Sequence, residues 1–217
     1  MNMGLEYLHR LPKNKNQKNP PLLLLIHGYG SNEADLFSFA DHLPDEFLVV
    51  SVRAPLTLGY QSYAWYTINF NDADGNYSDT PEALKAKENI LQFLSDLQNE
   101  LPYDAKNVTL LGFSQGTILS YALALSYPEK FKNIIALSGY IKEELISKPN
   151  DTSLYKNLDI FISHGIQDQV IPLQWAEKAP KFLNALGINN CFKTYLSGHG
   201  VTPQNFNDLN QWLLTKL

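Results

Sequence analysis

Short apolar runs alternate with stretches in which apolar positions recur at helical spacing, and this alternation predicts a mainly parallel sheet with helices on both faces. Leu22 to Ile26 is apolar at every position, as a central strand buried on both sides should be. Phe47 to Val52, Val108 to Leu111, Ile134 to Leu137, Ile160 to Ile162 and Phe192 to Leu196 read as the strands that follow. A weaker edge strand is expected within Leu5 to Leu11, and the polar run Lys13 to Asn19 behind it reads as an exposed turn. Between the strands, Leu84, Ile90, Leu91, Leu94, Leu97 and Leu101 form a stripe at helical spacing. Thr80 as N-cap, Pro81 at the first helical position and Pro102 just past the end bound that helix. Further helices are expected over Asn32 to Asp41, Gln115 to Leu125, Leu173 to Leu186 and Pro203 to Leu214.

The stretch from Arg53 to Asp79 breaks the pattern. It is too long for an ordinary connection and carries Tyr60, Tyr63, Trp65, Tyr66, Phe70 and Tyr77. No repeat and no interdomain linker interrupts the chain, so residues 1–217 are expected to form one domain.

Composition narrows the functional classes. Of the 217 residues, 44% are hydrophobic and 18% charged, an ordinary globular balance. Seventeen basic against twenty-two acidic residues give a net charge of -5, and no basic stripe interleaved with aromatics argues for nucleic acid. Cys191 is the only cysteine, which removes an internal disulfide and a thiolate zinc site. The first residues lack the apolar core of a signal peptide and the longest aliphatic run is too short to cross a membrane. A cytoplasmic protein without stable membrane insertion is the expectation.

The chemistry is carried by Gly112-Phe113-Ser114-Gln115-Gly116, which lies between a strand and a helix. A strand turning sharply into a helix forces its middle residue into strained backbone geometry, and flanking glycines relieve the crowding. Ser114 then projects from the C-terminal end of the sheet, with the helix's free N–H groups beside it. A serine hydroxyl needs a histidine base and a carboxylate to orient that base, in the chain order serine, acid, histidine. Only His164 and His199 follow Ser114, and His164 precedes every suitable acid. His199, between Gly198 and Gly200 beyond the last strand, is therefore the candidate base. Asp168, in the loop after the Ile160 to Ile162 strand, is the candidate acid. Oxyanion donors are expected from the backbone of Gln115 and of Tyr29 in the turn His27-Gly28-Tyr29-Gly30.

These segments together resemble the small carboxylesterase/phospholipase branch of the α/β-hydrolases, which includes the acyl-protein thioesterases. The resemblance rests on His27-Gly28-Tyr29-Gly30 with Asp35, Arg53-Ala54-Pro55, Tyr63-Ala64-Trp65-Tyr66, the Ser114 pentapeptide, His164-Gly165 with Asp168-Gln169-Val170-Ile171-Pro172, and Gly198-His199-Gly200. It implies an α/β-hydrolase fold with a Ser114–Asp168–His199 triad and oxyanion donors at Tyr29 and Gln115. Tyr29 stands where many relatives carry leucine, and Gln169 where many carry a small or apolar residue. The short span from Leu137 to Ile160 leaves no room for a large cap, so an open site is expected, with Tyr63, Trp65 and Tyr66 as an acyl-group wall. The reaction would be hydrolysis of an ester, thioester or lysophospholipid through an acyl-enzyme, with no metal or organic cofactor. The partner is a small-molecule substrate rather than nucleic acid, and homodimerisation is left open. The competing readings are a ligand-binding module that keeps the fold without catalysis, and peptidase or lyase chemistry on the same triad.

Overall fold

A computed structural model describes residues 4–14, 17–69, 77–149 and 151–217. Its strands, in chain order, are β1 (Tyr7–Arg10), β2 (Leu22–Ile26), β3 (Leu48–Val52), β4 (Leu56–Gly59), β5 (Ser62–Ala64), β6 (Ile68–Asn69), β7 (Tyr77–Ser78), β8 (Val108–Phe113), β9 (Asn133–Leu137), β10 (Asp159–Gly165) and β11 (Asn189–Tyr195). Its helices are α1 (Glu33–Phe37), α2 (Thr80–Glu100), α3 (Gln115–Ser126), α4 (Leu173–Ala176), α5 (Lys178–Ala185) and α6 (Pro203–Leu214).

Seven strands form the main sheet in the order β1-β3-β2-β8-β9-β10-β11. Only β1 runs antiparallel; every other pairing is parallel. The predicted strands all lie in this sheet, and the five leucine and isoleucine side chains of β2 are fully buried. Two apolar layers flank the sheet. Alternate residues Leu22, Leu24 and Ile26 join the layer beneath α2 and α3, while Leu23 and Leu25 join Leu36, Leu209 and Leu213 on the α1 and α6 side. This period-two split is why a central parallel strand must be apolar throughout. Among the described residues between β9 and β10 there are two short 3-10 turns, Glu143–Leu145 and Thr152–Asn157, and no large cap over the sheet edge.

Several expected boundaries differ. The α2 N-cap is Asp79, whose carboxylate accepts from the Glu82 N–H at 2.9 Å, so Thr80 is already helical. The buried face of α2 is Ala83, Ala86, Lys87, Ile90, Phe93, Leu94 and Leu97, with Leu84, Leu91 and Leu101 at its margin. Lys87 is the exception on that apolar face: its ammonium donates to the Leu145 carbonyl at 2.8 Å and reaches Ser126 and Ser147 at 3.3 Å, pinning the segment after β9. Burial lowers the Lys87 pKa from its usual value. The helix expected over Leu173 to Leu186 is broken at Glu177 into α4 and α5. That expected over Asn32 to Asp41 is α1 followed by a 3-10 turn, Ala40–His42. In the aromatic stretch, β4 and β5 form a hairpin and β6 pairs with β7; Phe70 lies outside the described residues.

Candidate active site

Parallel strands end at one edge, and loops from four of them converge there. β8 ends at Phe113 and α3 begins at Gln115, leaving Ser114 alone to make the turn, at φ 52° and ψ -114°. That left-handed conformation is strained for any residue with a side chain. The surroundings enforce it. Ser114 N–H donates to the Leu137 carbonyl at 2.9 Å, and the buried Thr117 hydroxyl accepts from Leu137 N–H at 3.0 Å. Gly116 can have no substituent, because a Cβ there would fall 1.9 Å from the Ile26 carbonyl oxygen. The pentapeptide glycines thus exist so that α3 can start hard against the end of β2. Ser114 occupies the N-cap position without using its side chain to cap, so its hydroxyl stays available beside uncapped helix N–H groups.

The loop after β10 holds Asp168, whose side chain is fully buried. Its Oδ1 accepts from the Val170 and Ile171 N–H groups, both at 2.9 Å. Its Oδ2 lies 2.7 Å from Nδ1 of His199, in the loop between β11 and α6. A carboxylate oxygen accepts, so Nδ1 carries the hydrogen and Nε2 is left as the basic nitrogen. The Phe113 ring packs on the His199 imidazole with centroids 4.9 Å apart. Ser114 and His199 line one open cleft of about 670 Å³, together with Tyr29, Ser31, Asn32, Asp35 and Gln61. No hydrogen bond joins the Ser114 hydroxyl to His199; catalytic hydrogen bonds of this kind are commonly long or poorly aligned until substrate binds.

Backbone contacts fix the turn after β2. The His27 ring is fully buried; its Nδ1 lies 2.7 Å from the Gly28 carbonyl and its Nε2 accepts from Ala54 N–H at 3.0 Å. Its tautomer is therefore set, and burial pushes its pKa below the usual value. With the Gly28 carbonyl turned to His27, the trans peptide directs the Tyr29 N–H the opposite way. Arg53 braces the same loop from outside. It holds Glu33 through two bonds of 2.5 and 2.6 Å, pairs with Glu6, and lies 4.8 Å above the Tyr63 ring.

Two of the three aromatic residues expected to wall the acyl group, Trp65 and Tyr66, lie in the core instead. Trp65 and Tyr66 are 1% and 0% exposed and belong to the core, and none of Tyr63, Trp65 and Tyr66 lines the cleft beside Ser114. Their role is support: Tyr63 pairs with Ser31, and the Trp65 indole donates to the His27 carbonyl at 2.9 Å. Gln115 has a part that its position after the serine did not disclose. Its buried amide accepts from Trp65 N–H at 2.9 Å and donates to the Tyr66 carbonyl at 2.8 Å, clamping the bend after β5 to the start of α3. A glutamine beside the serine was the signal available; its bonding partners are 49 and 50 residues away and could not be read from spacing. Among the described residues no group of His, Cys, Asp and Glu is arranged to hold a metal ion, and no helix is long and apolar enough to cross a membrane.

The phospholipase/carboxylesterase family matches residues 12–217. The chain is similar to acyl-protein thioesterase 1 of Kluyveromyces lactis, 26% identical over 215 residues, spanning 92% of this chain and 93% of that protein. It is similar to acyl-protein thioesterase 1 homolog 1 of Dictyostelium discoideum, 30% identical over 158 residues, 71% of this chain and 68% of that one. The Bacillus cereus carboxylesterase structure superposes with a TM-score of 0.81 at 20% identity, covering 98% of this chain and 95% of the other, which establishes the shared fold.

Proposed function

The chain belongs to the phospholipase/carboxylesterase family of acyl hydrolases, and from that premise we propose that it cleaves carboxylic esters, with thioesters and lysophospholipids as neighbouring substrates, through a Ser114–His199–Asp168 triad. Residues 1–217 would act as one hydrolase domain. The observation that carries this reading is the 2.7 Å contact between His199 Nδ1 and Asp168 Oδ2, in a cleft that His199 shares with Ser114.

The proposed steps follow from that geometry. His199 Nε2 takes the Ser114 hydroxyl proton as the oxygen attacks the acyl carbon. Negative charge gathers on the former carbonyl oxygen, stabilised by the backbone N–H groups of Gln115 and Tyr29. The C–O or C–S bond to the leaving group breaks, and His199 returns its proton to the departing alkoxide or thiolate. Water, deprotonated by the same nitrogen, then releases the acid from Ser114. The cleft wall of Ser31, Asn32, Asp35 and Gln61 suits the polar part of such a substrate.

A fluorophosphonate probe tests the reading. Wild-type protein is expected to gain one adduct at Ser114, and Ser114→Ala to lose both adduct and p-nitrophenyl ester turnover. A folded wild-type protein that neither labels nor turns over esters of any chain length would leave the ligand-binding module instead. Turnover of peptides in preference to esters and thioesters would favour the peptidase.

A further inference from the structure

His164 fails the chain-order requirement for the base, yet it lies against the acid. It stands near the end of β10 with a side chain that is 0% exposed. Its Nε2 is 2.8 Å from the Ile171 carbonyl oxygen and 3.3 Å from Asp168 Oδ2. Both neighbours only accept, so Nε2 must carry a hydrogen. Nδ1 is fully buried and has no hydrogen-bond partner among the described residues, so a second proton there would have no acceptor among their side chains or backbone. These constraints select the Nε2–H tautomer. Among the described residues, Asp168 is the only acidic group within ion-pairing distance of His164, and the oxygen that faces it is the one His199 uses.

The contacts close a ring around the acid turn. His164 donates to the Ile171 carbonyl, Ile171 N–H donates to Asp168 Oδ1, and the positive end of the His164 N–H dipole faces Asp168 Oδ2. We propose that His164 is a positioning residue: it staples the Asp168–Ile171 turn to β10 and draws charge from the carboxylate oxygen that orients His199. The inference rests on the reading of Asp168 and His199 as acid and base. Its physical content is that a neutral donor at Oδ2 competes with His199 for the same lone pairs. Without that donor the carboxylate holds the His199 imidazolium more tightly, and the base is released only at higher pH.

The test combines two variants with a measurement on the unaltered protein. His164→Leu removes the donor; His164→Gln can place an amide N–H near the position of Nε2. For His164→Leu, kcat/KM on a p-nitrophenyl ester is expected to fall about 10-fold at pH 8. The acid limb of its pH profile should move up by about half to one unit. His164→Gln should restore the limb to its wild-type place. In wild-type protein with 15N-labelled histidine, His164 should show the Nε2–H tautomer across pH 6 to 9. An unchanged limb and turnover in folded His164→Leu would overturn the proposal, as would failure of glutamine to restore the limb, or an Nδ1–H or doubly protonated His164. Should the leucine variant not fold, the glutamine profile and the tautomer decide. Ser114→Ala separates the two levels: if it still turns over ester, the triad reading fails. If it is inert while the His164 outcomes go against expectation, only this inference fails.

Discussion

Gly165→Ala adds a single methyl group where backbone closes tightly on backbone. Gly165 ends β10 and faces the loop that carries His199. A Cβ built there would fall 2.2 Å from the Gly198 carbonyl oxygen and 2.5 Å from that of Ser197, against 3.4 Å for ordinary contact. The missing distance is about 1 Å, and both obstructing atoms are backbone, so no rotamer change can absorb it. Gly165 does not occupy the left-handed region, so alanine brings no backbone penalty that would confuse the result. The 197–198 segment must give way, although it is held by Gln167 N–H to the Ser197 carbonyl at 3.0 Å and Ile166 N–H to the Tyr195 carbonyl at 2.9 Å. His199 follows directly, and a shift of about 1 Å in a catalytic group can cost roughly 10²-fold in rate. The expectation is a fall of about 100-fold in kcat/KM on a short p-nitrophenyl ester, with a loss of about 1–3 kcal/mol in urea unfolding from the overpacked contact. The NMR signal of the His199 Nδ1 proton shared with Asp168 should weaken or vanish in the variant. Wild-type turnover in folded Gly165→Ala would refute the argument that this loop is held rigidly at the contact.

Two other predictions address the support around the site. Gln115→Met keeps the backbone N–H and similar volume but strips both side-chain bonds from the buried Trp65–Tyr66 backbone. Two unsatisfied buried groups at about 1–3 kcal/mol each predict a loss of roughly 2–6 kcal/mol in urea denaturation, and a loss under about 0.5 kcal/mol would show the clamp to be idle. Burial holds the His27 pKa below its ordinary 6.5, so the unfolded chain takes up a proton at a higher pH than the folded one. The stability that His27 contributes is therefore full above about pH 6.5 and is lost as pH falls through its folded value. Unfolding free energies of wild type and His27→Gln should converge between pH 7.5 and 5; a gap independent of pH would contradict the bonding assigned to His27.

The sequence by itself determined the layers of this protein and the order of its parts. An all-apolar Leu22 to Ile26 fits a strand covered on both faces, and the helical spacing of apolar positions along α2 fits a helix lying on such a sheet. The Ser114 pentapeptide was legible for the same kind of reason, since its glycines answer crowding that any strand-to-helix turn would create. Local rules also placed Asp168 and His199 in loops that follow strands. What they could not supply is which side chains meet across the sheet edge. Trp65 and Tyr66 looked like an acyl wall because aromatic composition carries no direction, and only the fold turned them into the core, with Trp65 bonded to the turn after β2. Gln115 holds a bend some fifty residues earlier, and Gly165 is required by a loop more than thirty residues later. His164, excluded as the base by its place in the chain, lies against Asp168 all the same. Chain order constrains which roles are open to a residue, but contact is decided by strand adjacency and burial, and those exist only once the sheet has formed.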